Sequence, residues 1–90
     1  MALIVFRANW CPHCRMMEKA GVVRELRRLL PDLEIEVEDL SSGLTELASA
    51  FRVQTIPAFV LVDEDGEIVK RTSGSKTAAE LAKWAAPAPT

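Results

Sequence analysis

The order of apolar and amphipathic segments predicts an α/β fold for this chain, with one four-stranded mixed sheet and helices on both faces. Three observations carry the prediction. An apolar run at residues 2–6 leads into a long stretch of helical periodicity, residues 33–38 alternate between apolar and acidic, and two strand-like segments flank a turn at residues 63–66. We expect the element order β-α-β-α-β-β-α in one domain of 90 residues, with residues 86–90 as a frayed tail.

The first strand and the first helix are predicted from residues 2–31. Residues 3–6 form a near-continuous apolar run, which is typical of a central strand covered on both faces. Cys11 falls where a helix begins, and Pro12 takes the first helical position, where its missing N–H costs nothing. Helical spacing continues to Leu30, before a proline ends the helix. Gly21 weakens this helix by about 1 kcal/mol relative to Ala and permits a bend or a close contact.

The middle of the chain is predicted to hold an edge strand and a short helix. Leu33, Ile35 and Val37 lie on one face of the strand, and three glutamates on the other discourage pairing with other chains. Because the first two strands flank a helix, we expect them to be parallel. Helical spacing then marks a short amphipathic helix, carried by Leu44, Leu47, Ala48 and Phe51.

A hairpin and a last helix complete the predicted fold. Residues 58–62 are apolar, Asp65-Gly66 is the natural centre of a hairpin turn, and residues 67–72 return as an antiparallel strand. The segment from Thr77 to Glu80 matches a capping box that opens the last helix. Two prolines are expected to end that helix, Pro87 and Pro89.

Composition excludes several classes of partner. The net charge is −2 with both signs interspersed, so we expect no nucleic acid and no anionic membrane as a partner. Residues 2–6 are apolar but too few for a signal sequence or a membrane span. The sequence therefore predicts a cytoplasmic protein, and we expect a monomer.

Both cysteines of the chain, Cys11 and Cys14, lie in one Cys-x-x-Cys motif at the predicted strand-to-helix junction. Such a motif beside a βαβ pattern is typical of a redox site. A structural role is weaker, because closing so short a loop constrains the unfolded chain by less than the roughly 3 kcal/mol of a 15-residue loop. Metal binding is a further alternative, but with His13 the motif supplies only three ligands, whereas tetrahedral zinc takes four. Only a dimer that shares the site would complete it.

The motif Trp10-Cys11-Pro12-His13-Cys14, together with Thr55-Ile56-Pro57 before a strand, resembles the thioredoxin-like family in a minimal, glutaredoxin-sized form. The Asp65-Gly66 hairpin and Gly74 add to the resemblance, which covers essentially all 90 residues. It implies a thiol–disulfide oxidoreductase that exchanges electrons with protein substrates through a reversible Cys11–Cys14 disulfide, without a further cofactor. Such a protein serves cell redox homeostasis and is recycled by a thioredoxin-reductase-like or a glutathione system.

The residues of the motif receive separate roles. Cys11 is the candidate nucleophile, because the N–H groups and dipole of the helix favour thiolate over thiol at its sulfur. Cys14, one turn into the helix and less accessible, is the candidate resolving thiol. His13 either adds positive charge or a hydrogen bond near the thiolate, which makes the disulfide more oxidising, or is a surface residue without effect. Pro12 either serves only to start the helix or also tunes the reduction potential of the disulfide.

The resemblance also assigns a substrate-binding surface. Pro57 resembles the cis-proline that packs against the disulfide in the family, and Ile56 would expose its backbone for β-like pairing with an extended substrate. Trp10 offers apolar contact surface beside Cys11, or is a packing residue. Three other large side chains are expected in the core, namely Met16, Met17 and Trp84.

Three departures from the family are visible. The chain begins at the active-site strand, so we expect no preceding strand and helix. Val5 stands where thioredoxins carry a buried Asp that accepts the proton of the buried cysteine, and Glu38 or Asp39 could replace it unless both are solvated. The dipeptide between the cysteines is Pro-His, as in the periplasmic oxidant of bacteria, and this favours an oxidant or isomerase. The absence of a visible signal peptide favours a reductant, so the direction of electron flow stays open.

Two alternative functions remain. A glutathione-dependent, glutaredoxin-like enzyme ranks second, because that family usually carries Gly-Gly followed by an acid where this chain has Ser73-Gly74-Ser75. A non-catalytic recognition module that uses the exposed edge strand is the third class. The intact Cys-x-x-Cys argues against it.

Overall fold

The computed structural model describes residues 1–86 and confirms the predicted α/β fold, although the first helix is divided in two. The bounds of the elements are β1 Ala2–Arg7, α1 Pro12–Lys19, α2 Val22–Leu29, β2 Glu34–Asp39, α3 Glu46–Ala50, β3 Ala58–Val62, β4 Ile68–Ser73 and α4 Ala78–Ala85. Pro87 and Pro89 lie outside the described residues, so the prediction that they end the last helix stays untested.

The four strands form one mixed sheet in the order β2-β1-β3-β4. As predicted, β1 and β2 are parallel, and β2 lies at the edge of the sheet. The pairs β1–β3 and β3–β4 are antiparallel. In the parallel register Val5 lies opposite Val37, and Arg7 opposite Asp39. This register brings the ends of β1 and β2 together just before the Cys-x-x-Cys motif.

Two hydrophobic layers cover the two faces of the sheet, because alternate side chains of a strand point to opposite faces. Leu3 and Val5 of β1 pack on one face with residues of α1, α2 and α4. Ile4 and Phe6 pack on the other face with residues of α3. Each fully buried side chain of this size contributes roughly 1.5–3 kcal/mol relative to exposure, so these layers dominate the stability of the sheet.

The long first helix of the prediction is interrupted at Gly21. Its φ of 71° lies in the left-handed region, which no residue of a right-handed helix adopts, so α1 ends at Lys19 and α2 begins at Val22. The prediction for Met16 was also wrong, since its side chain is 64% exposed, whereas Met17 is buried as expected.

Two apolar residues near β2 and α3 are more exposed than the periodicity predicted. Val37 is 47% exposed, although Ile35 on the same face of β2 is buried. Leu44 precedes α3 and is 68% exposed, so the helix is shorter than its apolar spacing suggested. The alternation identified which face of β2 is turned inward. It could not show that α2 leaves the last residues on that face of β2 exposed.

The C-terminal half follows the prediction closely. Asp65-Gly66 turns between β3 and β4, and the N–H of Gly66 donates to the carbonyl of Asp63. Thr77 and Glu80 form the capping box of α4, with each side chain accepting from the backbone of the other residue. Trp84 is half-buried against the core, and the ammonium of Lys70 lies 5.3 Å from its ring centroid. Over residues 1–86, no helix is long and apolar enough to cross a membrane.

Candidate active site

The Cys-x-x-Cys motif lies at the N-terminus of α1, as predicted. Cys11 is the N-cap residue, Pro12 occupies the first turn, and the backbone N–H of Cys14 donates to Sγ of Cys11 across 3.2 Å. The sulfur therefore takes the place that a Ser or Asp oxygen takes in an ordinary helix cap, and it satisfies one of the free N–H groups there. Both cysteines are free thiols, so the structure represents the reduced form.

A loop from a distant part of the chain completes the site. The Ile56–Pro57 peptide bond is cis, and the thiol of Cys11 contacts the carbonyl oxygen of Ile56 at 3.7 Å. The N–H of Gly74 donates to the carbonyl of Pro57 at 2.9 Å and ties this loop to the end of β4. The two motifs that were recognised separately in the sequence thus lie in contact around one sulfur.

The two thiols differ in environment more than in exposure. Cys11 is 4% exposed and Cys14 is 2% exposed, so the expected difference in accessibility is small. Burial raises the pKa of the Cys14 thiol to about 11, and its hydrogen bond with Cys11 acts in the same direction. Cys14 is therefore held as the neutral thiol at neutral pH, while the sulfur of Cys11 accepts a backbone hydrogen bond.

Apolar surface lies on one side of Cys11. Trp10 is 64% exposed and therefore not a packing residue. It lines a shallow groove of about 240 Å³ with Leu44, Ile56 and neighbouring residues. Leu44 was predicted only as a helix residue, and its part in this groove depends on tertiary structure. The side chains of Pro12 and His13 are exposed on the first turn of α1.

A second cavity, of about 360 Å³, opens beside Cys14 on the other face of the sheet edge. Val5 and Val37 lie opposite each other in the β1–β2 register and both line it. The wall is mainly apolar, with contributions from Met17, Val23 and Pro57. The cavity wall is thus hydrophobic on both strands at this point of the register.

Three charged side chains line this cavity, namely Arg7, Glu18 and Asp39. The guanidinium of Arg7 lies between the two acids, with Nε 2.5 Å from Oε2 of Glu18 and Nη1 3.1 Å from Oδ1 of Asp39. The pKa of Arg7 is raised, chiefly by its hydrogen bond with Glu18. The pKa of Asp39 is lowered, chiefly by the hydroxyl and N–H of Ser41, with Arg7 adding to the effect.

Sequence reasoning found only part of this cluster. It named Asp39, which lines the cavity, together with Glu38, which does not line it. Glu18 and Arg7 were missed. The signal for Glu18 was its spacing of four residues from Cys14, which places both side chains on one face of a helix. Arg7 carried no such signal, because its position depends on the parallel register of β1 and β2.

The described residues provide no metal cluster. Within residues 1–86, no group of three or more His, Cys, Asp or Glu side chains is placed to hold a metal ion. The site can perform thiol chemistry with its own two sulfurs. The sulfur of Cys11 caps the N-terminus of α1, and that of Cys14 lies one turn further along the same helix.

Comparisons with known proteins agree with this geometry. The family model named Thioredoxin matches residues 1–87. The chain is 32% identical over 92 residues to Thioredoxin H-type of Fagopyrum esculentum, covering 99% of the chain and 73% of that protein. It is 36% identical over 78 residues to Thioredoxin H2-1 of Oryza sativa subsp. japonica, covering 83% of the chain and 51% of that protein.

A solved structure gives the same result. A mutant thioredoxin from Halobacterium salinarum is similar with a TM-score of 0.77 and 32% sequence identity, over 92% of this chain and 69% of the other. The chain spans 73% of the Fagopyrum protein but only 51% of the rice protein, so it matches a part of the longer relatives.

Proposed function

The chain belongs to the thioredoxin family, and from this we propose that it exchanges dithiols and disulfides with protein substrates through a reversible Cys11–Cys14 disulfide. The thioredoxin relatives support a thiol–disulfide oxidoreductase in general terms. The observation that carries the proposal is the hydrogen bond from the N–H of Cys14 to Sγ of Cys11, which stabilises negative charge on the attacking sulfur.

The proposed reaction has two exchange steps. In the first, the Cys11 thiolate attacks one sulfur of a substrate disulfide, the substrate S–S bond breaks, and a mixed disulfide forms while the other substrate sulfur leaves as a thiolate. In the second, Cys14 loses its proton and attacks Sγ of Cys11. The mixed disulfide then breaks, the second substrate thiolate leaves, and two electrons have passed from the protein to the substrate. The same steps in reverse oxidise a substrate dithiol.

Substrate binding is proposed for the surface around Cys11. An extended peptide that pairs with the backbone of Ile56 would bring its cysteine to Cys11, because the Ile56 carbonyl already lies 3.7 Å from that sulfur. The exposed side chains of Trp10 and Leu44 would bury apolar residues of the same peptide in the groove beside it. The carbonyl of Pro57 accepts a hydrogen bond from the N–H of Gly74, and this bond holds the cis-proline loop against the end of β4.

The reduction potential of the Cys11–Cys14 disulfide and the system that recycles it are also proposals. His13 lies exposed between the two cysteines, and a positive charge or a hydrogen bond from its imidazole would stabilise the Cys11 thiolate and make the disulfide more oxidising. A thioredoxin-reductase-like or glutathione system would return the protein to its starting state. The cytoplasmic location and the monomeric state stay predictions from the sequence.

Reduction of insulin disulfides by the dithiothreitol-reduced protein tests the function. We expect precipitation of insulin chains faster than with dithiothreitol alone, and we expect Cys11→Ser to abolish the acceleration. Cys14→Ser should retain the first attack and accumulate a mixed disulfide that non-reducing mass spectrometry detects. If the wild-type protein gives no acceleration over dithiothreitol, the proposal is wrong.

A further inference from the structure

The second exchange step requires Cys14 to lose a proton in a buried place. Only a thiolate attacks a disulfide at a useful rate, and burial raises the pKa of Cys14 to about 11. This value belongs to the reduced protein; when Cys11 is bound in the mixed disulfide its hydrogen bond with the Cys14 thiol is lost, but the burial that chiefly raises the pKa of Cys14 remains. A group that accepts the proton as Cys14 attacks would therefore speed this step, and the cavity beside Cys14 is lined by such groups.

The ionisable groups that face this cavity, or the sulfur itself, come from three of the neighbouring elements, β1, α1 and β2. They are Arg7 at the end of β1, Cys11 at the start of α1, Glu18 on α1 and Asp39 at the end of β2. The residues that line the cavity from α2 and the cis-proline loop are apolar, namely Val23 and Pro57. Arg7 already carries its proton, and the sulfur of Cys11 is bound in the mixed disulfide when Cys14 attacks, so the two carboxylates are the candidate acceptors among these groups.

The two carboxylates differ in their surroundings. Oδ1 of Asp39 accepts from the N–H of Ser41 at 2.9 Å and from its hydroxyl at 2.5 Å, and it also contacts Arg7. Asp39 is thus held by the turn that follows β2, whereas Glu18, held by Arg7, is the carboxylate whose charge adds to the effect of burial in raising the pKa of Cys14. Glu18 lies one helical turn after Cys14 on α1, so its side chain leaves the same face of the helix as the thiol.

Arg7 fixes the carboxylate of Glu18 at the mouth of the cavity. Its Nε donates to Oε2 and its Nη2 donates to Oε1 at 2.9 Å, a two-point contact that restrains the side chain. The cavity volume of about 360 Å³ exceeds the roughly 30 Å³ that a water molecule occupies, so a water molecule can connect thiol and carboxylate.

We propose that Glu18 is the proton acceptor for Cys14 in the resolving step, and that Arg7 is its positioning residue. The proton passes from Sγ of Cys14 to the Glu18 carboxylate, directly or through one water molecule, as the Cys14 sulfur forms its bond to Sγ of Cys11. The departing substrate thiolate carries the electron pair of the broken S–S bond. Glu18 then returns the proton to solvent at the open side of the cavity. This inference rests on the proposed function.

Stopped-flow reaction of the reduced protein, in excess, with the chromogenic disulfide dithiobis(nitrobenzoic acid) separates the two steps. The first thiolate is released when Cys11 attacks and the second when Cys14 resolves the mixed disulfide. At pH 7 we expect Glu18→Gln to leave the first phase unchanged and to slow the second by at least about fivefold, since a positioned general base contributes up to about 10²–10⁴-fold. The deficit should shrink as pH rises towards 10, because hydroxide then removes the proton.

Matched variants keep the test specific. Glu38→Gln removes the same charge from β2 at a side chain outside the cavity, and it should leave both phases unchanged. Glu18→Asp should recover part of the lost rate. The inference is overturned if Glu18→Gln slows the second phase less than about fivefold, if the deficit is independent of pH, or if Asp39→Asn produces the larger effect. Absence of the first phase in the wild-type protein would instead refute the proposed function.

Discussion

The backbone N–H of Cys14 donates a hydrogen bond to Sγ of Cys11, so the sulfur of the first cysteine caps the helix that carries the second. One helix thereby creates two different thiols. The N–H of Cys14 faces the sulfur of Cys11, whereas the first turn carries the thiol of Cys14 inward, where burial raises its pKa to about 11. The proposed order of attack and resolution rests on this difference in environment.

The raised pKa of Cys14 predicts a pH dependence of stability. Its pKa in the folded protein is about 11, above the ordinary thiol value, so the folded state holds this proton more tightly than the unfolded state. The resulting stabilisation is complete below the ordinary value of 9.0 and is lost as pH rises through about 11. We expect the free energy of unfolding of reduced wild-type protein to fall more steeply between these pH values than that of Cys14→Ala. Parallel curves from urea denaturation would contradict the assignment.

The hydrophobic pair Val5–Val37 predicts the effect of restoring an acid. Val5→Asp places a carboxyl group in the cavity wall beside Cys14, where it costs about 1–3 kcal/mol of stability but provides a second proton acceptor. We expect a lower urea midpoint and a faster release of the second thiolate in the stopped-flow assay. Val5→Asn is the control, because it adds similar polarity without a base. Equal resolving rates in the two variants would show that an acid at this position does not assist Cys14.

The exposed indole of Trp10 predicts a selective loss of activity towards protein substrates. Trp10→Ala removes apolar surface beside Cys11 without touching the sulfur chemistry, so we expect insulin reduction to slow by about threefold to tenfold. The rate with a small chromogenic disulfide should stay within about twofold, because that substrate does not fill the groove. Leu29→Ala, on the outer surface of α2, is a control that should change neither rate. A uniform loss with both substrates would argue against a binding role for the indole.

The left-handed backbone at Gly21 predicts the sign of a stability change. If Gly21 stood inside a continuous helix, alanine would stabilise the protein by about 1 kcal/mol. Because its φ is 71°, we expect Gly21→Ala to destabilise by about 1–2 kcal/mol instead. A Cβ there would meet only the end of the Arg24 side chain at 3.7 Å, so the cost comes from the backbone. Urea denaturation of the oxidised wild-type protein and of the oxidised Gly21→Ala variant measures the sign directly. A higher free energy of unfolding in the variant would contradict the prediction.

Prediction of the fold from the sequence succeeded where periodicity and turn chemistry were strong. The alternation at residues 33–38 gave an edge strand, Asp65-Gly66 gave the hairpin, and Thr77 with Glu80 gave the capping box. It was less accurate where a single backbone angle decides the outcome. The helical spacing around Gly21 is nearly continuous, and no apolar pattern reports that the glycine adopts a positive φ.

The candidate site divides in the same way. Local sequence was sufficient to place Cys11 at the start of a helix and Cys14 one turn later, because a strand followed by a proline-initiated helix is a local signal. The resemblance to thioredoxins also implied that Val5 stands where the family carries an acid, and Val5 lies in the wall of the cavity beside Cys14. Which carboxylate lies near Cys14 was not predictable, since Arg7 approaches Glu18 from another element and Asp39 arrives through the pairing of β1 with β2.

The sequence by itself thus determined the element order apart from the break in the first helix, the redox chemistry and the two cysteines that carry it. These follow from spacings of a few residues, over which backbone geometry is nearly fixed. Only the tertiary structure brought Ile56 to within 3.7 Å of the Cys11 sulfur, exposed Trp10 beside Leu44, and enclosed a cavity between Val5, Val37 and Glu18. Those relationships join segments up to 45 residues apart, and they depend on how the strands pair and which helices cover them.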